Sequence, residues 1–183
     1  MERPDDYESI TTLDISKKVL TELPSWISEC TKLEILNCSN NEITKLDNLP
    51  QTGLKELICS NNEITKLDNL PQTLKYLDCS YNGITHLDKL PTKLKFLLCY
   101  CNKIIQLNNL PQTLKILECS NNNITHLDNL PQTLKILECS CNKITHLDNL
   151  PSTLKELYCD KKHIRQLDNL PSTLEILEYF NTD

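Results

Sequence analysis

Apolar residues return at fixed places along nearly the whole chain, in a block that reads L-x-x-L-x-C-x-x-N-x-I-x-x-L-x-x-L-P. Leu114 to Thr133 and Leu134 to Thr153 differ at only three positions, so the block is a repeat and not a chance periodicity. Units begin at Ile10, Leu33, Leu54, Leu74, Leu94, Leu114, Leu134, Leu154 and Leu174. The first has 23 residues, the second 21 because Gly53 is inserted, and the next six have 20 each. In Lys115 to Ser120 a period of two predicts a short strand, with Leu117 and Cys119 inward and Ile116, Glu118 and Ser120 outward. Ile124, Leu127 and Leu130 turn inward again and close the coil, while Pro131, without an N–H, suits a return segment outside any sheet. Twenty residues leave little room for a helix opposite the strand, so extended or turn-like convex segments are predicted. The longer first unit is the exception, where Pro24 to Cys30 has the length for one helical turn with Trp26 over the core. The organisation predicted is one domain over 1–183, with a cap at about 1–9, eight full units over 10–173 and a partial ninth over 174–183.

The motif from Leu33 to Leu46 resembles the core of the leucine-rich repeats. The short unit with Leu-Pro before the next strand looks like the repeats of bacterial effector proteins. The Asn-rich wording LPQTLKILECSNNNITHLDN resembles mimivirus-type repeat proteins of giant DNA viruses. The resemblance implies an α/β repeat solenoid, a right-handed coil with a curved parallel sheet on its concave face, which recognises a protein partner. It also implies that the ninth-position residues Asn41, Asn62, Asn82, Asn102, Asn122 and Asn142 turn inward and bond backbone groups of their own and neighbouring coils. An amide suits that slot because it offers donors and an acceptor together.

Ten cysteines would suggest a disulfide scaffold, but seven of them, Cys38, Cys59, Cys79, Cys99, Cys119, Cys139 and Cys159, recur once per unit. In-register neighbours would lie about 4.8 Å apart, whereas a disulfide needs Cβ atoms about 3.8 Å apart with suitable vectors. Free buried thiols in a reducing compartment are therefore expected. Two glycines in the whole length argue against a fold with many left-handed turns or with phosphate-cradling loops. Net charge is −6 and no basic run occurs, which argues against a nucleic-acid partner. The start Met1-Glu2-Arg3-Pro4-Asp5-Asp6 lacks the features of a secretory signal, and no apolar run has the length to span a bilayer. The expectation is a soluble, cytoplasmic protein, in the host cytoplasm if the chain is an effector, with no membrane partner.

Catalytic chemistry finds no foothold. There is no nucleophile elbow, phosphate loop or zinc-protease motif, and Cys99-Tyr100-Cys101 and Cys139-Ser140-Cys141 lack zinc-knuckle spacing. His86, His126 and His146 share a lateral column with Lys45, Lys66, Gln106 and Gln166, a column that accepts polar residues of any kind. No catalytic, cofactor-binding or metal-ligating residue is assigned. Function is expected on the solvent-facing strand positions, where departures from the repeat are not required by the fold. Tyr76, Tyr81, Phe96, Leu98 and Tyr100 cluster in the fourth and fifth units, and Ile116, Ile136 and Tyr158 extend the candidate partner-binding face. The favoured function is a non-enzymatic module binding a host or viral protein. The alternatives are a structural component of a particle, or the recognition half of a ubiquitin-ligase-like effector. In the last units Lys162 stands where the ladder asparagine would be, and Leu174, Leu177 and Tyr179 have no following coil. That edge is expected either to pair with a second copy, giving a homodimer, or to be shielded by a fold-back of Tyr179-Phe180.

Overall fold

A computed structural model of the chain describes residues 2–160 and 170–180. Nine parallel strands form a single sheet in strict chain order. They are β1 (Thr12–Asp14), β2 (Ile35–Asn37), β3 (Glu56–Ile58), β4 (Tyr76–Asp78), β5 (Phe96–Leu98), β6 (Ile116–Glu118), β7 (Ile136–Glu138), β8 (Glu156–Asp160) and β9 (Ile176–Phe180). Most are three residues long, shorter than the alternation in the sequence suggests, and each repeats the register of the one before it. Among the described residues the only helix is a 3-10 turn at Ser25–Glu29, and it buries Trp26 and Ile27.

The second to seventh coils close on the same six apolar slots. In the sixth coil these are Leu114, Leu117, Cys119, Ile124, Leu127 and Leu130, all of them buried. Contacts between like slots of successive coils merge into one continuous core. Burying an aliphatic side chain of this size contributes about 1.5–3 kcal/mol, so even a three-residue strand is held in place by what lies beneath it. The prolines begin turns, and Pro111, Pro131 and Pro151 accept from the N–H of Leu114, Leu134 and Leu154 at 3.0 Å.

The ladder asparagines join coil to coil. The Asn122 side-chain amide donates to the carbonyls of Cys99 in the coil before and of Cys119 in its own, each at 3.0 Å. Its Oδ1 accepts from the N–H of Ile104 at 2.9 Å. Asn62, Asn82, Asn102 and Asn142 repeat this arrangement. Asn41, facing the longer first coil, accepts from both Lys18 and Leu20.

Two sequence expectations fail here. Left-handed backbone is abundant, with fourteen non-glycine residues at positive φ. Lys17 and Val19 lie in the first coil, and each of the next six coils has two, at the eighth position (Asn40, Asn61, Tyr81, Cys101, Asn121, Cys141) and the sixteenth (Asn48, Asn69, Lys89, Asn109, Asn129, Asn149). Asparagine tolerates this region through local polar contacts, so it takes the place that a glycine count overlooks. Gly53 is required for a different reason: at φ 90° a Cβ there would lie 2.9 Å from the Thr31 carbonyl oxygen. Second, the seventh-position serines point outward without being exposed. Ser80, Ser120 and Ser140 are buried, because the short hydroxyl sinks between the larger side chains flanking it.

At the C-terminal end Tyr179 and Phe180 continue β9 in register with Cys159 and Asp160, so they do not fold back. Lys161, Lys162, His163 and Gln166 lie outside the described residues. Asp160 replaces the usual serine, and its buried carboxylate accepts from the backbone N–H of Cys141 and, at 3.4 Å, of Asn142. In the preceding coils the equivalent N–H groups bond to carbonyls of the next coil, as Asn121 does to Ser140 and Asn122 to Cys141. Here a side chain does the work of the backbone.

All ten thiols are unpaired, and eight of them are buried. Desolvation pushes Cys38 up to about 12 and Cys159 up to about 11, so the ladder stays protonated and inert at neutral pH.

Two outcomes follow from this packing. Asn122→Ala should cost about 1–3 kcal/mol in urea unfolding, because it strands one N–H and two carbonyls. Asn121→Gly, at the adjacent left-handed position, should cost far less; equal midpoints for the two variants would remove the amide ladder as a source of stability. Native-state alkylation read by mass spectrometry should modify Cys101 and Cys141 first, the remaining eight reacting only on unfolding. Disulfides in freshly prepared, intracellularly expressed protein would contradict the free-thiol ladder.

Candidate partner-binding face

The solvent-facing side of the sheet carries the third, fifth and seventh residue of every coil. Tyr76 and Phe96 are register partners on β4 and β5, with ring centroids 6.3 Å apart and tilted by 40°. Ile116 and Ile136 continue that row across β6 and β7. Tyr81, left-handed and exposed just after β4, meets Tyr100 edge-on at 5.3 Å between centroids. Leu98 occupies the fifth position between Asp78 and Glu118. The structure thus brings seven of the eight candidate residues into one patch over β4–β7. Tyr158 stands apart on β8, where its hydroxyl donates to Glu156 at 3.1 Å.

Acids border the aromatics. Burial, then Asp78, Glu118 and Glu56, push the Tyr76 phenol upward; Tyr100 is raised by burial and by Asp78. Glu118 and Glu138 face each other in register on β6 and β7, a like-charge pair that disfavours the sheet. The Glu118 carboxyl is raised by burial first and by Glu138 and Asp78 next. Ser120 donates to Glu138 at 3.3 Å, which leaves the pair otherwise uncompensated.

One feature of this region has no signature as a run in the sequence. The second position of six successive coils is lysine: Lys55, Lys75, Lys95, Lys115, Lys135 and Lys155. Backbone bonds from each to the one before stack them along the rim where the strands begin. Comparing the second position unit by unit is the signal that finds them. The outer members are neutralised, Lys55 by Glu34 and Lys155 by Glu175, each at 2.5 Å. Among the described residues the four between them form no ion pair.

The lateral histidines are less eventful. The Nδ1 atoms of His86, His126 and His146 lie 2.8–2.9 Å from the hydroxyls of Thr85, Thr125 and Thr145. Among the described residues no group of three His, Cys, Asp or Glu side chains is placed to hold a metal. No helix there is long and apolar enough to cross a membrane.

The carboxylate pair yields a pH-dependent expectation. A carboxyl raised in the folded state contributes stability that is lost as pH rises through its folded value. Glu118→Gln should therefore raise the unfolding midpoint at pH 7, by less than about 1 kcal/mol because the residue is half exposed. The gain should shrink as pH falls and Glu118 itself becomes neutral. A variant less stable than the parent at pH 7 would overturn the repulsive pair.

Residues 8–51 match a family model described as leucine-rich repeats in two copies. No curated protein matches the chain. Among solved structures it is similar to YopM from Yersinia enterocolitica WA-314, at 33% identity and TM-score 0.85, over 93% of this chain and 37% of that one. YopM of Yersinia pestis, a leucine-rich effector protein, aligns at 32% identity and TM-score 0.87, over 94% and 48%. The functional domain of InlJ from Listeria monocytogenes, which includes a cysteine ladder, aligns at 35% identity and TM-score 0.65, over 85% and 41%. The chain spans less than half the length of each. It is built of leucine-rich repeats and shares its solenoid fold with the repeat regions of bacterial effector proteins.

Proposed function

We propose that the chain is a non-catalytic recognition module that binds a host or viral protein on its concave face, over β4–β7. The observation that carries this is the aromatic cluster. Tyr76 with Phe96 and Tyr81 with Tyr100 make two ring pairs on adjacent coils, half-buried or exposed, where the core requires nothing of them. Rings ordered in this way lose little freedom on binding and anchor many interfaces. The acids beside them suit a partner with basic residues next to an apolar centre. Likeness to effector repeat regions supports the same role, and the chain's share of their length is compatible with its being the recognition part of a larger effector. The unpaired thiols agree with a reducing compartment such as the cytoplasm. An assembly role, in which repeats supply length alone, has no particular residue in its favour here.

The double variant Phe96→Ser, Tyr100→Ser tests the proposal. Circular dichroism should report an intact sheet, since neither side chain fills the core. Capture of the cognate partner from host lysate should weaken by about 2 kcal/mol or more, roughly 30-fold. Undiminished capture by the folded double variant would remove the face from consideration.

A further inference from the structure

Three columns on this face change character at the same two boundaries. At the third position Tyr76, Phe96, Ile116 and Ile136 are bracketed by Glu56 and Glu156. At the fifth, the acids Asp78, Glu118 and Glu138, with Leu98 among them, are bracketed by Ile58 and Tyr158. At the second, the four lysines that form no ion pair among the described residues are bracketed by the Glu34–Lys55 and Lys155–Glu175 pairs. One window of four coils therefore presents a positive rim, an apolar stripe and an acidic column side by side, each running along the solenoid axis. The four lysines, and Glu118 with Glu138, stack like charges about 4.8 Å apart, which is unfavourable until something of opposite sign lies against them.

The dimensions select the occupant. From the second to the fifth position is about 10 Å along a strand, close to the roughly 10–12 Å diameter of an α-helix. The four strands span about 14 Å between first and last, close to three helical turns at about 5.4 Å each. An extended segment is only about 4.8 Å wide and would leave one charged column uncovered. A nucleic-acid strand would meet the acids as well as the lysines.

We propose that this face holds a single amphipathic helix of about three turns, lying along the solenoid axis across β4–β7. Its acidic flank faces Lys75 to Lys135, its apolar stripe covers Tyr76, Phe96, Ile116 and Ile136, and its basic flank faces Glu118 and Glu138. The inference rests on the concave face being the binding face and adds the chemistry and shape of the partner.

The probes are lactam-bridged helical peptides of about 11 residues, equal in length and leucine stripe. One has an acidic and a basic flank, one has two acidic flanks, and one has two basic flanks. A fourth repeats the first with a central proline that prevents the helix. In fluorescence anisotropy at low salt the two-signed helix should bind best, by roughly tenfold over either single-signed helix. Lys95→Glu with Lys115→Glu should turn the preference toward the two-basic helix, and E118Q with E138Q should weaken the preference for a basic flank. The lysines are solvent-facing and the second pair removes repulsion, so neither pair threatens the fold. Equal binding of all flanks, equal binding of the proline peptide, or no binding by any of them would overturn the helix assignment. If F96S/Y100S abolishes binding while the charge variants change nothing, the helix assignment alone falls. If F96S/Y100S leaves binding of the two-signed helix intact, the concave-face reading falls with it.

Discussion

A carboxamide that spans two coils is the interaction on which this molecule depends. The strands are mostly three residues long, too short for ladder bonds alone to fix one coil against the next. Each ninth-position asparagine reaches carbonyls in its own coil and the coil before, and takes an N–H from the latter as well. The groups it satisfies lie where the chain leaves the strand, beyond the reach of the sheet and beside the buried core. Left-handed residues on either side of the coil bend the backbone so that this geometry recurs. Leucine supplies the driving force, and the amide decides that successive coils stack in one register only.

The architecture was legible because a solenoid writes its core into the sequence once per turn. Leu117, Cys119 and Ile124 could be placed from spacing alone, since the slot is the same in each coil and the sequence samples it repeatedly. Asn121 was not legible by the same route. A count of glycines misses its left-handed backbone, because the chain meets that demand mostly with asparagine, and with Lys17, Val19, Tyr81, Lys89, Cys101 and Cys141 elsewhere. Spacing gives Ser120 its outward direction, and its burial depends on the bulk of neighbouring side chains, which spacing does not record. The candidate face is legible where it varies, as at Tyr76 and Phe96. It is missed where it does not vary, since an unchanging lysine resembles background until the coils are stacked.

The two sides of each strand answer to different constraints. Inward, the cysteines fill a small slot with a weakly polar group that burial keeps protonated, and any departure would leave a void or a clash in two neighbouring coils. Outward, a substitution touches only its register neighbours, so glutamate, tyrosine and isoleucine interchange at the third position without disturbing the coil. A face assembled in this manner can change its chemistry a column at a time while the scaffold stays the same.

The carboxylate of Asp160 carries a consequence for how the molecule comes apart. In a linear array, cooperativity is transmitted only across the seam between one unit and the next. The seams along the middle of the solenoid are joined by backbone ladders, an amide bridge and turn-to-turn carbonyl bonds. At the seam between β7 and β8 the Asp160 carboxylate takes the N–H groups of Cys141 and Asn142, while the Cys139 N–H still bonds the Tyr158 carbonyl. One carboxylate therefore carries part of the coupling across this seam, and its loss would leave two N–H groups of the seventh coil without that partner.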